Sequence, residues 1–200
     1  TVNSWDEIPP EIRSDFEILG IPEAEQKSLS GVGLQYDSKL MYENLKNAFA
    51  EVGIVFMGIE EAIKNPEYAD IIRKHFMKLV RPEAYKFAAL HGAVWSGGVF
   101  IYVPKGVIAT LPLQAYYRFN APGAGQFEHS IIVVDEDASL DFIEGCSAPK
   151  YNVANLHIGC VEFFIKKGAH FKYSSVVNWS KNMYNLTTKC LHAEEGASIE

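Results

Sequence analysis

The sequence predicts an α+β protein, with a helical N-terminal region over residues 1–94 and a β-solenoid core over residues 95–200 that is incomplete at its C-terminal end. Three observations predict this. A short phrase returns four times: Pro104-Lys105-Gly106-Val107-Ile108, Glu136-Asp137-Ala138-Ser139-Leu140, Lys167-Gly168-Ala169-His170-Phe171 and Glu195-Gly196-Ala197-Ser198-Ile199. Gly106, Asp137, Gly168 and Gly196 follow one another at intervals of 31, 31 and 28 residues, and a period of about 30 is the signature of stacked coils. Each phrase also lies between two apolar runs, which is the grammar of strand, tight turn and strand. Finally, helical spacing gives way to β-branched and aromatic runs at the glycine cluster Gly92, Gly97 and Gly98.

Taken in order, Met41, Leu45, Ala48, Phe49 and Val52 recur at helical spacing, as do Tyr68, Ile71, Ile72, His75, Phe76 and Leu79, so both stretches are expected to be amphipathic helices. Pro10, Pro22, Pro66 and Pro82 fit first-turn positions, and Gly20, Gly53 and Gly58 fit helix stops. His75 lies on an apolar stripe and is expected to be a buried, hydrogen-bonded histidine without a role. Strands are expected near 98–103, 107–118, 127–134, 138–144, 154–165, 169–178 and 184–194, with Leu140 and Phe142 facing inward between Ser139 and Asp141. The last phrase is cut short, with Glu200 ending the sequence one or two residues into a new strand. A solenoid stopping there would present an open edge, so a longer protein or a covering chain is expected.

Composition narrows the function. Eighteen basic against 25 acidic residues give a net charge of −7, the wrong field for a phosphate backbone, and 48% hydrophobic residues suffice for a packed core. Nucleic acid is therefore an unsuitable partner. No apolar run approaches the roughly 18 residues of a membrane span, and residues 1 to 20 lack a secretory pattern, so a soluble cytoplasmic protein without a membrane partner is expected. Three cysteines with no Cys-x-x-Cys motif indicate neither a disulfide framework nor a closed zinc site. Cys160 and Cys190 open strand-like runs about one repeat apart and are expected to occupy stacked packing positions. Cys146 lies in Glu144-Gly145-Cys146-Ser147-Ala148-Pro149, where glycine and proline are expected to hold the thiol on an accessible bend. Glu144 disfavours its ionisation, whereas His129, Arg118, Lys189 or Lys150 would favour it if brought near. Tyr116, Arg118 and Asn120 share one side of a strand, which is a polar channel if inward and a solvated face if outward. Glu128-His129 with Asp135, Glu136 and Asp137 offers carboxylates for acid–base work, although the last three read as a charged turn.

The run Tyr116-Tyr117-Arg118-Phe119-Asn120, then Gly125-Gln126-Phe127-Glu128, then Glu144-Gly145-Cys146-Ser147-Ala148-Pro149, closely resembles the SufB members of the SufB/SufD family, which belong to the SUF system of iron–sulfur cluster assembly. Gly53-Ile54-Val55-Phe56 and Lys172-Tyr173-Ser174-Ser175-Val176-Val177-Asn178-Trp179 extend the likeness over nearly the whole chain. The resemblance implies a right-handed parallel β-helix and a scaffold rather than a turnover enzyme. It implies that Cys146 accepts or relays persulfide sulfur, that Arg118, Asn120, Trp179 and Lys189 line the sulfur path, and that this chain supplies no metal ligand of its own. The implied partners are a SufD-like paralogue or a second copy, a SufC-type ATPase docked through a C-terminal part beyond residue 200, and a cysteine desulfurase or sulfur carrier. An iron–sulfur cluster is implied only transiently, in the full-length complex, and none on this chain alone, because the family's nascent-cluster ligands also lie beyond residue 200. Val177 stands where many members carry glutamine, which removes one polar member of the path. The alternatives are a purely structural, SufD-like interaction module without thiol chemistry, and a carbohydrate-active β-helix using Glu128, Asp135 or Asp137.

Overall fold

The structure is a computed structural model describing residues 2, 4–37 and 39–200, with the side chains of residues 23, 24, 26 and 39 outside the description. Two helices, α1 (Pro10–Ile18) and α2 (Ile21–Ser28), precede a hairpin of β1 (Gly31–Tyr36) and β2 (Lys39–Leu45), then α3 (Asn47–Ala50) and β3 (Val55–Gly58). Helices α4 (Ile59–Ala62), α5 (Ala69–His75) and α6 (Lys86–Val94) lead to the solenoid. Its first coil is β4 (Val99–Val103), β5 (Leu113–Arg118) and β6 (Gly125–Gln126). The second is β7 (His129–Val134), β8 (Ser139–Ser147) and β9 (Asn155–His157), and the third is β10 (Cys160–Ile165), β11 (His170–Asn178) and β12 (Met183–Asn185), with β13 (Thr188–Ala193) and β14 (Ser198–Ile199) following.

The coils have three sides. Strands β4, β7, β10 and β13 stack in parallel on one side, β5, β8, β11 and β14 on the second, and β6, β9 and β12 on the third. The repeated phrase forms the corner between the first two sides. Gly106, Asp137, Gly168 and Gly196 all have φ between 55° and 73°, and the amides of Gly106, Asp137 and Gly168 donate to the carbonyls of Glu136, Lys167 and Glu195 one coil on. Left-handed backbone recurring at one point of each coil explains why the sequence repeats glycine there. Inside, Ile101, Leu113, Ile132, Leu140, Phe142, Val161, Phe163 and Phe171 form the principal core.

The N-terminal part plates the outside of this rod. Helices α4 and α5 pack Ile59, Ala62 and Ile72 against the outward residues Phe100, Ile131, Val133 and Phe164, while Phe16 and Ile21 of α1 and α2 pack with Val32, Leu34 and Tyr42 of the hairpin. His75 is buried, bonds the Ile71 carbonyl at 2.7 Å and meets the Phe164 ring edge-on, as its apolar stripe predicts. Among the described residues no helix is long and apolar enough to cross a membrane.

The helix expected over Met41–Val52 is corrected by the structure. Met41 and Leu45 belong to β2, and only Asn47–Ala50 is helical. β2 pairs antiparallel with β1, which itself pairs with β5, and Tyr42 and Asn44 both donate to Glu25 Oε1 at 2.7 Å. Pairing along the sheet and a buried carboxylate override a helical spacing that a short strand followed by a single turn happens to mimic. The strand expected from 107 narrows to Leu113–Arg118, and Ile108 contributes only an isolated bridge to Ser139.

Candidate functional site

Alternation along each strand decides which side chains enter the rod. On β8, Leu140, Phe142, Glu144 and Cys146 point inward, so Cys146 sits in a column between Tyr117 of β5 and Val177 of β11. It is 4% exposed. This corrects the expectation of a bend: Cys146 lies within a regular ladder. Gly145 serves a different need, because a Cβ there would lie 2.4 Å from the Tyr116 ring that packs over it on the outer face. Burial pushes the Cys146 thiol well above its ordinary value, Glu144 and Glu128 add to the rise, and Lys189 alone opposes it. Arg118 does not act on this thiol.

Beside Cys146 the interior turns polar. Lys189 of β13 pairs in register with inward-facing Val161, and its Nζ reaches Glu144 Oε2 at 2.5 Å and Ser175 Oγ at 2.9 Å. The Tyr173 hydroxyl bonds both Lys189 and Glu144. Further along, Glu128 pairs with His157 Nε2, and His157 Nδ1 meets Asn185 Oδ1 at 2.7 Å. Burial opposes the charge on His157, but the Glu128 carboxylate outweighs it and raises the imidazole above its ordinary value. Burial likewise opposes charge on Glu128, and His157 outweighs it in lowering that carboxyl. The Trp179 ring lies 4.9 Å from His157. Among the described residues Glu128 Oε2, Trp179 Nε1 and both polar side-chain atoms of Gln126 are buried without a hydrogen-bond partner. Each such atom costs about 1–3 kcal/mol unless something polar meets it, so this part of the rod is suited to a polar guest.

The five residues expected at the site therefore divide. Cys146, Trp179 and Lys189 face the interior together. Arg118 is on the outer face, where Nε meets Asp15 of α1 at 3.4 Å and an Nη donates to Ser147 Oγ at 3.1 Å. Asn120 is held beside it: its side-chain amide bonds Tyr36, and Tyr151 donates to its carbonyl oxygens at 2.7 and 2.9 Å. The question of which way Tyr116, Arg118 and Asn120 point is answered by the N-terminal helices, which cover that face. The acid–base reading of Glu128-His129 also separates, since neighbouring residues on a strand face opposite ways. Asp135 accepts from the Tyr102 hydroxyl at 2.7 Å, and Asp137 lies at the repeated corner, so neither joins Glu128 in a paired-carboxylate site.

A second polar cluster escaped the sequence reading. On the outer face His129 of β7 and Cys160 of β10 are register partners, and His91 of α6 lies over them. Donor atoms of His91, His129 and Cys160 all lie within 4.8 Å of one another, and all three residues are buried. Only proximity in the fold unites residues this far apart in sequence. Cys160 and Cys190 both pack, in one cluster with Val80 and Ala88, but two residues out of register: Cys160 pairs with Thr188, and Cys190 with Glu162.

Comparison with known proteins follows the same division of the chain. Residues 32–115 match the family described as the SufBD protein N-terminal region, and residues 117–200 match the SUF system FeS cluster assembly, SufBD core domain. The iron–sulfur cluster assembly protein SufB of Bacillus subtilis (strain 168) is 51% identical over 197 residues, spanning 98% of this chain and 42% of that protein. An iron–sulfur cluster assembly SufBD family protein of Staphylococcus epidermidis is 46% identical over 200 residues, all of this chain and 43% of the relative. Another from Staphylococcus aureus (strain MRSA252) is 47% identical over 197 residues, 98% of this chain and 42% of the relative. The chain thus spans less than half the length of these curated relatives.

Proposed function

The chain belongs to the SufB/SufD family of the SUF system, and from that premise we propose that it is part of a scaffold for iron–sulfur cluster assembly which accepts sulfane sulfur at Cys146. In the accepting step the Cys146 thiolate attacks the outer sulfur of a donor persulfide. A new S–S bond forms at Cys146, the donor's S–S bond breaks, and the donor cysteine leaves as its thiolate, so the exchange has no net redox change. The cluster is the product, assembled as cargo within the full-length complex. The fitting partners are a cysteine desulfurase or sulfur carrier, a SufC-type ATPase, and either a SufD-like paralogue or a second copy. The work is that of a scaffold located in the cytoplasm, without turnover of its own.

The observation that carries this reading is the setting of Cys146, a lone inward thiol next to buried Glu144 and the Lys189 ammonium paired with it, in an interior where the Gln126 side-chain amide, Glu128 Oε2 and Trp179 Nε1 lack partners. Lys189 is suited to stabilise an anionic sulfur once it turns from Glu144, and Trp179 and His157 provide walls for its passage. Arg118 and Asn120 serve by holding the outer face of the same strands, with Arg118 bonded to Ser147 next to the thiol. The buried position of Cys146 and its raised thiol favour one competing reading, a purely structural module without thiol chemistry.

Anaerobic reconstitution of the full-length protein separates the two. With sulfur supplied by a desulfurase, visible cluster absorption should develop in the wild type and fall severalfold in Cys146→Ala. With inorganic sulfide both should form cluster equally. Equal formation from desulfurase-supplied sulfur would overturn the sulfur-acceptor reading and leave the structural one.

A further inference from the structure

We propose that His91, His129 and Cys160 form a binding site for one borderline-soft divalent transition-metal ion of the Zn²⁺ or Fe²⁺ class, which clamps helix α6 onto the solenoid. The argument begins with the two histidines. His91 Nδ1 lies 3.1 Å from the Ile158 carbonyl, which can only accept, so this nitrogen carries the hydrogen and His91 Nε2 presents a lone pair. His129 Nε2 lies 2.9 Å from Glu162 Oε2, which leaves His129 Nδ1 as the nitrogen facing His91 Nε2, at 2.9 Å. Glu162 is itself held by the amides of Met77, Leu79 and Val80 at 2.7, 2.5 and 2.9 Å. Each ring therefore has its outer nitrogen fixed by an oxygen acceptor while the inner nitrogens converge. That is the arrangement by which metal-binding histidines are oriented, including a carboxylate behind one of them.

Cys160 completes the set. Its sulfur lies within 4.8 Å of a ring nitrogen of each histidine, and it neighbours His129 across the β7–β10 ladder. Around an ion with bonds of about 2.0–2.3 Å, ligands stand roughly 3.3–3.7 Å apart, so the cluster needs only a small contraction at sulfur and a slight opening between the rings. Two imidazoles and a thiolate select zinc, cobalt or ferrous ions over magnesium and calcium, which require oxygen. The three ligands come from a helix and two adjacent coils, so binding ties the N-terminal part to the rod. This inference involves neither Cys146 nor Lys189.

Cobalt is the probe, because a thiolate ligand gives Co²⁺ an intense charge-transfer absorption. The reduced protein under anaerobic conditions should bind one Co²⁺ per chain with that absorption, and Zn²⁺ should displace it. The signal should fall to background in Cys160→Ser and His91→Asn and persist in Cys146→Ser. If Cys160→Ser fails to fold by circular dichroism, Cys146→Ser/Cys190→Ser decides instead, since it must retain the full signal. Absence of stoichiometric thiolate–cobalt absorption in the wild type, its survival in folded Cys160→Ser, or its loss in Cys146→Ser/Cys190→Ser would overturn the site.

Discussion

Replacing Glu162 by glutamine tests how the N-terminal part is fastened to the solenoid. The carboxylate is fully buried and receives four hydrogen bonds: from the amides of Met77, Leu79 and Val80 and from His129 Nε2. In Glu162→Gln the remaining carbonyl oxygen can keep Leu79 and Val80, which share Oε1 in the wild type, but the new NH₂ faces two other donors. Each buried donor stranded in this way costs about 1–3 kcal/mol, and two are stranded, the Met77 amide and His129 Nε2. A total near 3–5 kcal/mol is therefore expected, a large share of the roughly 5–15 kcal/mol that stabilises a domain. With a urea slope of about 2 kcal/mol/M, the midpoint should fall by about 2 M. The measurement is made at neutral pH with a chelator present, so that no bound ion contributes. A midpoint within about 0.3 M of wild type at the same slope would refute the reasoning. The pH dependence has a definite sign. Burial raises this carboxyl, but the His129 hydrogen bond and the backbone amides outweigh burial and hold it below its ordinary value of 4.5. Its stabilisation is thus complete above pH 4.5 and is lost as pH falls through the lower folded value. Glu162→Gln should lose that acid limb.

Four further outcomes are expected. Gly168→Ala should lower the urea midpoint more than Gly106→Ala: both add about 1–2 kcal/mol of left-handed strain, but only at Gly168 would the new Cβ meet another atom, Asp137 Oδ1 at 2.3 Å; equal losses would contradict the stacked-corner account. Gly145→Ala should destabilise by about 1–3 kcal/mol because its Cβ would enter the Tyr116 ring, and the Tyr116→Leu background should reduce that loss, as a double-mutant cycle reads directly. At fixed pH, iodoacetamide should modify Cys146 faster in Glu144→Gln, where a group raising the thiol is neutralised, and more slowly in Lys189→Met, where the one opposing cation is gone; the reverse order would contradict the electrostatics. The raised His157 contributes stability that is complete below its ordinary value of 6.5 and is lost as pH rises through the folded value, so His157→Gln should flatten that limb of a stability–pH profile.

The solenoid was legible because its corners need left-handed backbone once per coil, a requirement that glycine at 106, 168 and 196 writes into the chain at regular intervals. Asp137 shows the limit of that signal, since aspartate holds the same conformation in its own coil. The three-sided cross-section was less visible: β6, β9 and β12 are two or three residues long, too short for a periodicity of their own. Spacing alone presents the hairpin around Tyr42 as a helix, because its identity is decided by partners, Glu25 and β1, that spacing along the chain does not contain. At the site, alternation placed Arg118 and Asn120 together, but which face was inward depended on α1 supplying Asp15 from 103 residues away. Cys146 stood out through its motif, yet the motif suggested a bend where Tyr116 required a small neighbour. The His91–His129–Cys160 cluster left no trace in spacing because its members come from a helix and two coils.

The central claim, that Cys146 is where sulfur enters the scaffold, is tested most directly by peptide mass spectrometry after anaerobic incubation of the full-length protein with a desulfurase and ³⁴S-labelled cysteine. One labelled sulfur atom is expected on the peptide containing Cys146, with the peptides of Cys160 and Cys190 unmodified. Label on either of those cysteines with none on Cys146 would contradict the account.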